Sequence, residues 1–424
     1  MEDDEGEDAG GAAAASPAEA VRRTGGSGHI APGTAAFLRS NLGLFAAGFA
    51  TFALLYTVQP ILPLFSAHFH VSPAASSLSL SLTTLLLAIM MLLASGLSES
   101  LGRKPVMAAS LFASAVLTFA CAAVPRWSEL LLLRALMGIA LSGLPAVAMA
   151  YVGEEMEPRS IGLSMGLFIG GTGIGGMAGR LITGVLADFY GWRVAVACIA
   201  GLGIACGAAF VALLPPSRHF RARPLALRAL SEAYATHLSD ALLPYLFLEG
   251  FLLMGSFVAI YNYIGYRLLA PPFSLSQAAV GLIFAVYLAG VVGSASMGEL
   301  AARVGRARMF RAALMIDLAG ILLTLSSRLG IVILGIAVLT FGFFAAHSIA
   351  SGWVGIRARN AKAQASALYL FLYYLGSSLV GSMGGFFWAG AGWTGVVGLT
   401  AGLIVLGLLF ALRIARIEAG EAAG

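Results

Sequence analysis

Charge is scarce in this sequence. Lys, Arg, Asp and Glu together make up 11% of its 424 residues, against roughly 25% in soluble domains. Hydrophobic residues make up 59%, and the mean hydropathy is +0.91. Such a chain cannot cover a water-exposed surface. Its net charge of +5 is therefore no nucleic-acid footprint, because the basic residues sit in short loops beside apolar runs, where they orient a membrane protein. Cysteine is equally sparse: Cys121, Cys198 and Cys206 lie inside apolar stretches. They lack metal-ligand spacing, and an odd count is a poor disulfide framework, so they read as small packing residues. No Gly-x-x-x-x-Gly-Lys-Ser/Thr run is present, so ATP does not drive the chain from within. No Ser/His/Asp set is placed for hydrolysis, which argues against an enzyme and leaves no cofactor implied. Residues 1–36 lack an apolar run and carry Glu2, Asp3, Asp4, Glu5, Glu7 and Asp8. They read as a disordered acidic tail without a cleavable signal peptide, so the first span serves as an uncleaved signal.

Long apolar runs, by contrast, are abundant. A membrane helix needs roughly 20 mostly apolar residues in succession, and the runs predict spans near 40–65, 77–97, 105–124, 129–151, 161–183 and 193–214. A polar segment at 215–240 follows, then spans near 241–266, 279–298, 309–326, 331–354, 365–388 and 393–412. The predicted fold class is an all-α membrane protein of twelve helices in two pseudo-symmetric six-helix bundles. Its parts are the tail at 1–36, bundles at 37–214 and 241–412, a cytoplasmic linker at 215–240 and a C-terminal tail at 413–424. An even span number puts both termini on one side. With that side cytoplasmic, and with Arg193 and Arg311 at span ends counted with their loops, 19 of the 25 Lys and Arg lie inside; Arg126, Arg193, Arg267 and Arg328 lie outside, and Arg134 and Arg180 fall within spans. This excess predicts cytoplasmic termini.

The two halves repeat each other. Leu97, Gly102 and Arg103 match Leu300, Gly305 and Arg306 at an offset of 203, between the second and third spans of each half. Tyr56 and Tyr261 keep nearly that offset. A duplicated membrane bundle is how many transporters are built.

Six plus six spans, with a repeated Gly-x-x-x-x-x-x-Gly-Arg spacing after the second of each half, resemble the major facilitator superfamily over nearly the whole chain beyond the tail. The resemblance implies a secondary transporter with alternating access to a central cavity, acting as a monomer on a small-molecule substrate. The loop after the second span is that superfamily's most specific signature. Here the first copy keeps Glu99, Gly102, Arg103 and Lys104 but has Ser95 for the first Gly and Ser100 for an Arg. The second copy keeps Gly298, Arg303, Gly305 and Arg306 but has Ala302 for the acid. An acid at a helix end can face the positive N-terminus of a helix from the other half, so these loops are candidate cytoplasmic gates; the plainer reading is solvated turns. Arg134-Ala135-Leu136-Met137-Gly138 resembles the family's pattern in the fourth helix. An arginine there is functional, paired, or snorkels to the outer interface.

The fifth helix carries glycines at 162, 166 and 170, and again at 171, 175 and 179. Steps of four run down one helix face, and such stripes let backbones approach closely. Gly162, Gly171, Gly175, Gly176, Gly179 and Arg180 resemble the motif found mainly in antiporters of the superfamily, although Gly176 stands where Pro is usual and Arg180 where a second Gly is usual. Local wording around Tyr56–Pro63, Gly175–Arg180 and Leu252–Phe257 resembles bacterial inner-membrane efflux permeases of the arabinose-efflux or drug-efflux type.

Two acids fall deep within spans: Glu249 in the seventh and Asp317 in the ninth. Glu249 lies about eight residues from the nearer end, roughly 12 Å at 1.5 Å per residue. Desolvation disfavours the charged form of such a carboxyl, which suits a group that binds and releases protons. The superfamily's cavity is lined by helices 1, 4, 7 and 10, which favours Glu249 as the proton carrier over Asp317, with Arg134 tuning or pairing with it. A structural role for Glu249 is the alternative. Tyr56 and Gln59 beside Pro60 and Pro63, matched by Tyr261 and Asn262 in the seventh span, point to a binding site in equivalent helices; an interfacial aromatic belt is the alternative. His347 and Tyr373 are further cavity candidates. The sequence thus reads as a proton-coupled exporter of the bacterial inner membrane, or else an importer or facilitator of a small sugar or organic acid.

Overall fold

The computed structural model describes residues 29–220 and 227–423; the side chains at 94–100, 146, 227–229 and 422–423 lie outside this description. The expected tail up to residue 28 and part of the linker fall in the undescribed stretches. So does the Glu99 side chain.

Nearly all described residues are helical. The first half comprises α1 (Ala35–Tyr56), a short α2 (Leu62–Phe69), α3 (Pro73–Leu101), α4 (Arg103–Cys121), α5 (Trp127–Leu141), α6 (Pro145–Glu155), α7 (Ile161–Tyr190) and α8 (Trp192–Leu213). The linker carries α9 (Leu227–Leu238). The second half comprises α10 (Leu243–Leu269), α11 (Gln277–Ile283), α12 (Tyr287–Val304), α13 (Arg306–Leu323), α14 (Leu329–Arg357) and α15 (Lys362–Ala423).

Among the described residues, nine helical stretches are long and apolar enough to span a membrane. The count rises to twelve for physical reasons. α15 holds two spans, because Ala391 and Gly392 leave helical geometry between them. α5 and α6 together make one span, interrupted at 142–144 before Pro145. α13 makes the last; its first turns carry Arg306, Arg308 and Arg311, which lower its hydropathy.

Prolines break the first span where the sequence placed them. α1 ends at Tyr56, a 3₁₀ turn covers Gln59–Ile61, and α2 resumes with Pro63 in its first turn. The repeated loops turn on Gly102 and Gly305, with φ of 93° and 110°. A left-handed backbone favours glycine, so both copies need it at the same step. The chain is ordered earlier than the expected tail boundary: the amide of Ile30 donates to the Glu155 carbonyl at 2.7 Å, and Glu157 donates back to Ile30 at 3.1 Å. The expected C-terminal tail likewise continues as helix to Ala423.

The glycine stripes of α7 part ways. A Cβ at 171, 175 or 179 would strike the backbone of Phe45, Phe49 or Ala53 on α1, whereas positions 162, 166 and 170 meet nothing within 4 Å. Only the stripe at 171, 175 and 179 works as a close-packing face. α7 runs through Gly176 without a break, as expected where no proline stands.

Candidate functional site

The two halves touch at the end away from the described chain ends. Gln59 donates through Nε2 to Asn262 Oδ1 at 2.8 Å, and the two residues are 203 apart, the offset of the loop repeat. Equivalent residues of a duplicated bundle can touch only near its pseudo-two-fold axis. Around this contact Tyr266 donates to the Leu62 carbonyl at 2.9 Å and lies 2.7 Å from Ser66 Oγ. Gln277 donates to the Pro60 carbonyl at 2.6 Å. Thr84 pairs with Ser378, and Ser382 with Ser81. Small residues let these surfaces meet: a Cβ on Gly184 would strike Gly281, and one on Gly385 would strike Ala74. Tyr266 is thus a cross-half contact rather than part of a lipid-facing belt.

Arg180 holds Gln59 from behind. Its Nε donates to Gln59 Oε1 at 2.6 Å and its Nη1 to the Gly176 carbonyl at 2.7 Å. Tyr56 packs on the guanidinium at 3.9 Å from ring centroid to Cζ, a cation–π contact. Tyr287 and Phe284 of the other half lie at 4.8 and 5.4 Å.

Arg134 has another role. It is 1% exposed, so it does not snorkel. It donates to the carbonyls of Leu55 and Ser79, both at 2.7 Å, and of Leu54 at 3.4 Å. Leu54 and Leu55 lie in the last turn of α1, whose carbonyls lack helical partners because the chain breaks before Pro60. A cation there also complements the helix dipole. The structure does not bring Arg134 to Glu249.

Glu249 is fully buried. It faces Gly407 of α15, where a Cβ would meet its Oε2, and neither carboxylate oxygen has a hydrogen-bond partner among the described residues. The Tyr369 ring packs against the neighbouring Gly250, and its hydroxyl pairs with His347 Nδ1 at 2.9 Å. His347 in turn stacks 4.6 Å from Tyr373. Tyr261 bonds Thr340 at 2.7 Å and packs on Tyr287 and Phe257. Asp317 is buried on α13 against Gly342 of α14, and no salt bridge reaches it among the described residues.

At the other end of the bundle Arg103 grips Glu154 at the end of α6, with contacts of 2.6 and 3.1 Å. Lys104 caps α8, donating to the carbonyls of Val211 and Leu214. Glu155 binds the linker through the amides of Arg218 and His219. These helix ends match at an offset of 202, which sets Ile356 opposite Glu154 and Arg357 opposite Glu155, so the second copy has no acid there. Arg357 instead binds Asp240 and Glu421 at 2.9 and 2.5 Å. Burial raises Asp240, but hydrogen bonds from Arg357 and the Leu243 and Leu242 amides outweigh it and hold its carboxyl below the usual range. Arg303 pairs with Glu299 on its own exposed helix face; Gly298 lies close to Ser348, and Arg306 opens α13. Sequence reasoning missed Glu154, Tyr287 and Thr340. Glu154 stood out only as an acid near a span end, and Tyr287 and Thr340 carried no signal beyond residue type.

A duplicated bundle joined at one end, with buried polar and aromatic groups between its halves, is the architecture of a membrane carrier. Residues 44–269 match the Major Facilitator Superfamily, and the chain belongs to that family. It is 47% identical to the MFS-type transporter YybF of Bacillus subtilis over 92% of this chain and 96% of that one. It is 48% identical to the inner membrane transport protein YnfM of Escherichia coli over 91% and 93%. Among solved structures it shares its fold with the nucleoside transporter NupG, at a TM-score of 0.73 and 16% identity, covering 88% of this chain and 99% of that one. A bacterial homologue of the lysosomal transporter Spinster gives 0.70 and 14%, covering 91% and 96%.

Proposed function

We propose that this chain exports a small molecule across the bacterial inner membrane in exchange for protons, with both termini cytoplasmic. The observation that carries the reading is Glu249. Its burial without partners leaves an ionised carboxylate nothing to offset its desolvation, so the site suits a carboxyl that carries a proton. Tyr369 and His347 beside it offer a hydrogen-bonded route toward the centre of the bundle. The cytoplasmic loops carry most of the Lys and Arg, which supports the orientation, and the cross-half contacts then close the outer end, leaving access from the cytoplasm. The glycine face of α7 resembles that of antiporters and supports export. Arg134 acts as a brace for the broken first helix, and Asp317 is the second carboxyl to examine.

The test is proton release from purified protein on adding a cationic, a neutral and an anionic probe: ethidium, arabinose and benzoate. Release with one probe, lost in a folded Glu249→Gln variant, is the expected outcome. Release that persists in the variant removes Glu249 from the proton path. Binding with no release from either protein favours a facilitator of a small sugar or organic acid, a reading to which the uncompensated Arg180 lends weight.

A further inference from the structure

Two buried arginines of the first half differ in how their charge is met. Arg134 is surrounded by carbonyls that its donors satisfy. Arg180 is 2% exposed, yet its Nη2 donates to nothing among the described residues, and no carboxylate there lies within salt-bridge distance. Its hydrogen bonds and ring contacts among the described residues are to one amide oxygen, one carbonyl and three aromatic faces. Burying a cation is unfavourable unless it is paired and hydrogen-bonded, and ring faces replace only part of the lost hydration. A contact whose sole task was to close the outer end needs no charge, since the neighbouring pairs Thr84–Ser378 and Ser81–Ser382 are neutral.

A second orphan stands beside it. The Tyr287 hydroxyl on α12 is buried without a hydrogen-bond partner among the described residues, in a side chain 6% exposed, with its ring 4.8 Å from the guanidinium. Buried hydroxyls nearly always find a partner. A guanidinium short of negative charge and a hydroxyl short of an acceptor, contributed by opposite halves, lack the same thing.

We propose that Arg180 and Tyr287 bind the carboxylate of an organic anion that is the transported substrate, its apolar body lying against the aromatic side chains around Tyr56 and Phe284. The inference rests on the reading of this chain as a carrier but on neither its direction nor its proton coupling. It also ties binding to opening. Because Arg180 occupies Gln59 Oε1, the amide must present Nε2 to Asn262. A carboxylate is the stronger acceptor for a guanidinium. Drawing Arg180 toward it weakens the hold on Gln59 and with it the contact on the pseudo-two-fold axis.

The experiment measures binding to the purified full-length chain, by thermal shift and calorimetry, for benzoate, indole-3-acetate and octanoate against the matched neutral amides and benzylammonium. At least one carboxylate should bind more tightly than its amide and than benzylammonium. Tyr287→Phe removes a hydroxyl with no partner, so the free protein should melt as wild type does. Its carboxylate affinity should fall by roughly tenfold, the effect of one hydrogen bond to a charged group. Arg180→Gln should abolish the preference for the carboxylate over the amide. Amides or benzylammonium binding as tightly as the acids, no binding by any acid, or unchanged carboxylate affinity in Tyr287→Phe would overturn the proposal. Carboxylate binding without proton release would leave it standing while removing proton coupling.

Discussion

Arg134 and Arg180 are the same residue type, buried in the same half, and their neighbours assign them different work. Arg134 gathers three carbonyls, two of them released when α1 stops short of Pro60. Replacing it strands those acceptors in the interior, at about 1–3 kcal/mol for each unsatisfied group. Arg134→Gln is therefore expected to lower the melting temperature of the purified protein markedly. Arg134→Lys should recover little, because an ammonium cannot span acceptors that a planar fork reaches from fixed positions. Full recovery by Lys would show that charge near the helix end, rather than the fork, is what matters. Both arginines were evident in the sequence as charges inside spans. Whether each met carbonyls, a carboxylate or neither depended mainly on residues 55 to 124 positions away, which no local pattern encodes.

Element by element, the α7 glycines show how far periodicity reaches. Two stripes with the same spacing are equivalent on a helical wheel, yet only Gly171, Gly175 and Gly179 abut α1. Gly175→Val should force α7 away from α1, with a penalty of roughly 1–3 kcal/mol from overpacking, read as a lower melting temperature or lost expression. Gly166→Ala should be tolerated, since a Cβ there meets nothing within 4 Å and alanine is the better helix former. Equal effects of the two substitutions would refute the assignment of the packing face. Span positions were legible because hydrophobic runs and helix length are local properties. The paired left-handed turns at Gly102 and Gly305 were legible because the repeat wrote both. The order of residues 29–34 was not, since it depends on a bridge from Ile30 to the distant segment at 155–157.

For the whole molecule, the closure at the end away from the described chain ends is a set of hydrogen bonds across the two halves, centred on Gln59 and Asn262. Alternating access requires these to break while the bundles remain intact. Gln59→Ala should shift the population toward the state open at that end without unfolding either half. With spin labels at Tyr190→Cys and Phe273→Cys in a cysteine-free background, the expected result is a longer, broader distance distribution than in the parent. An unchanged distribution would mean that the small-residue seams at Gly184–Gly281 and Ala74–Gly385 hold the end closed by themselves.

Composition, span lengths and the 203-residue offset determined a membrane-embedded, duplicated helical carrier, because hydropathy and repetition are written locally along the chain. Charge asymmetry added an expected orientation on the same terms. The tertiary structure alone decided which buried charges are satisfied, since that depends on acceptors supplied by other helices. Among the described residues it left Glu249 and the Tyr287 hydroxyl without hydrogen-bond partners, turned Arg134 into a helix cap, and set Arg180 against Gln59 on the axis between the halves.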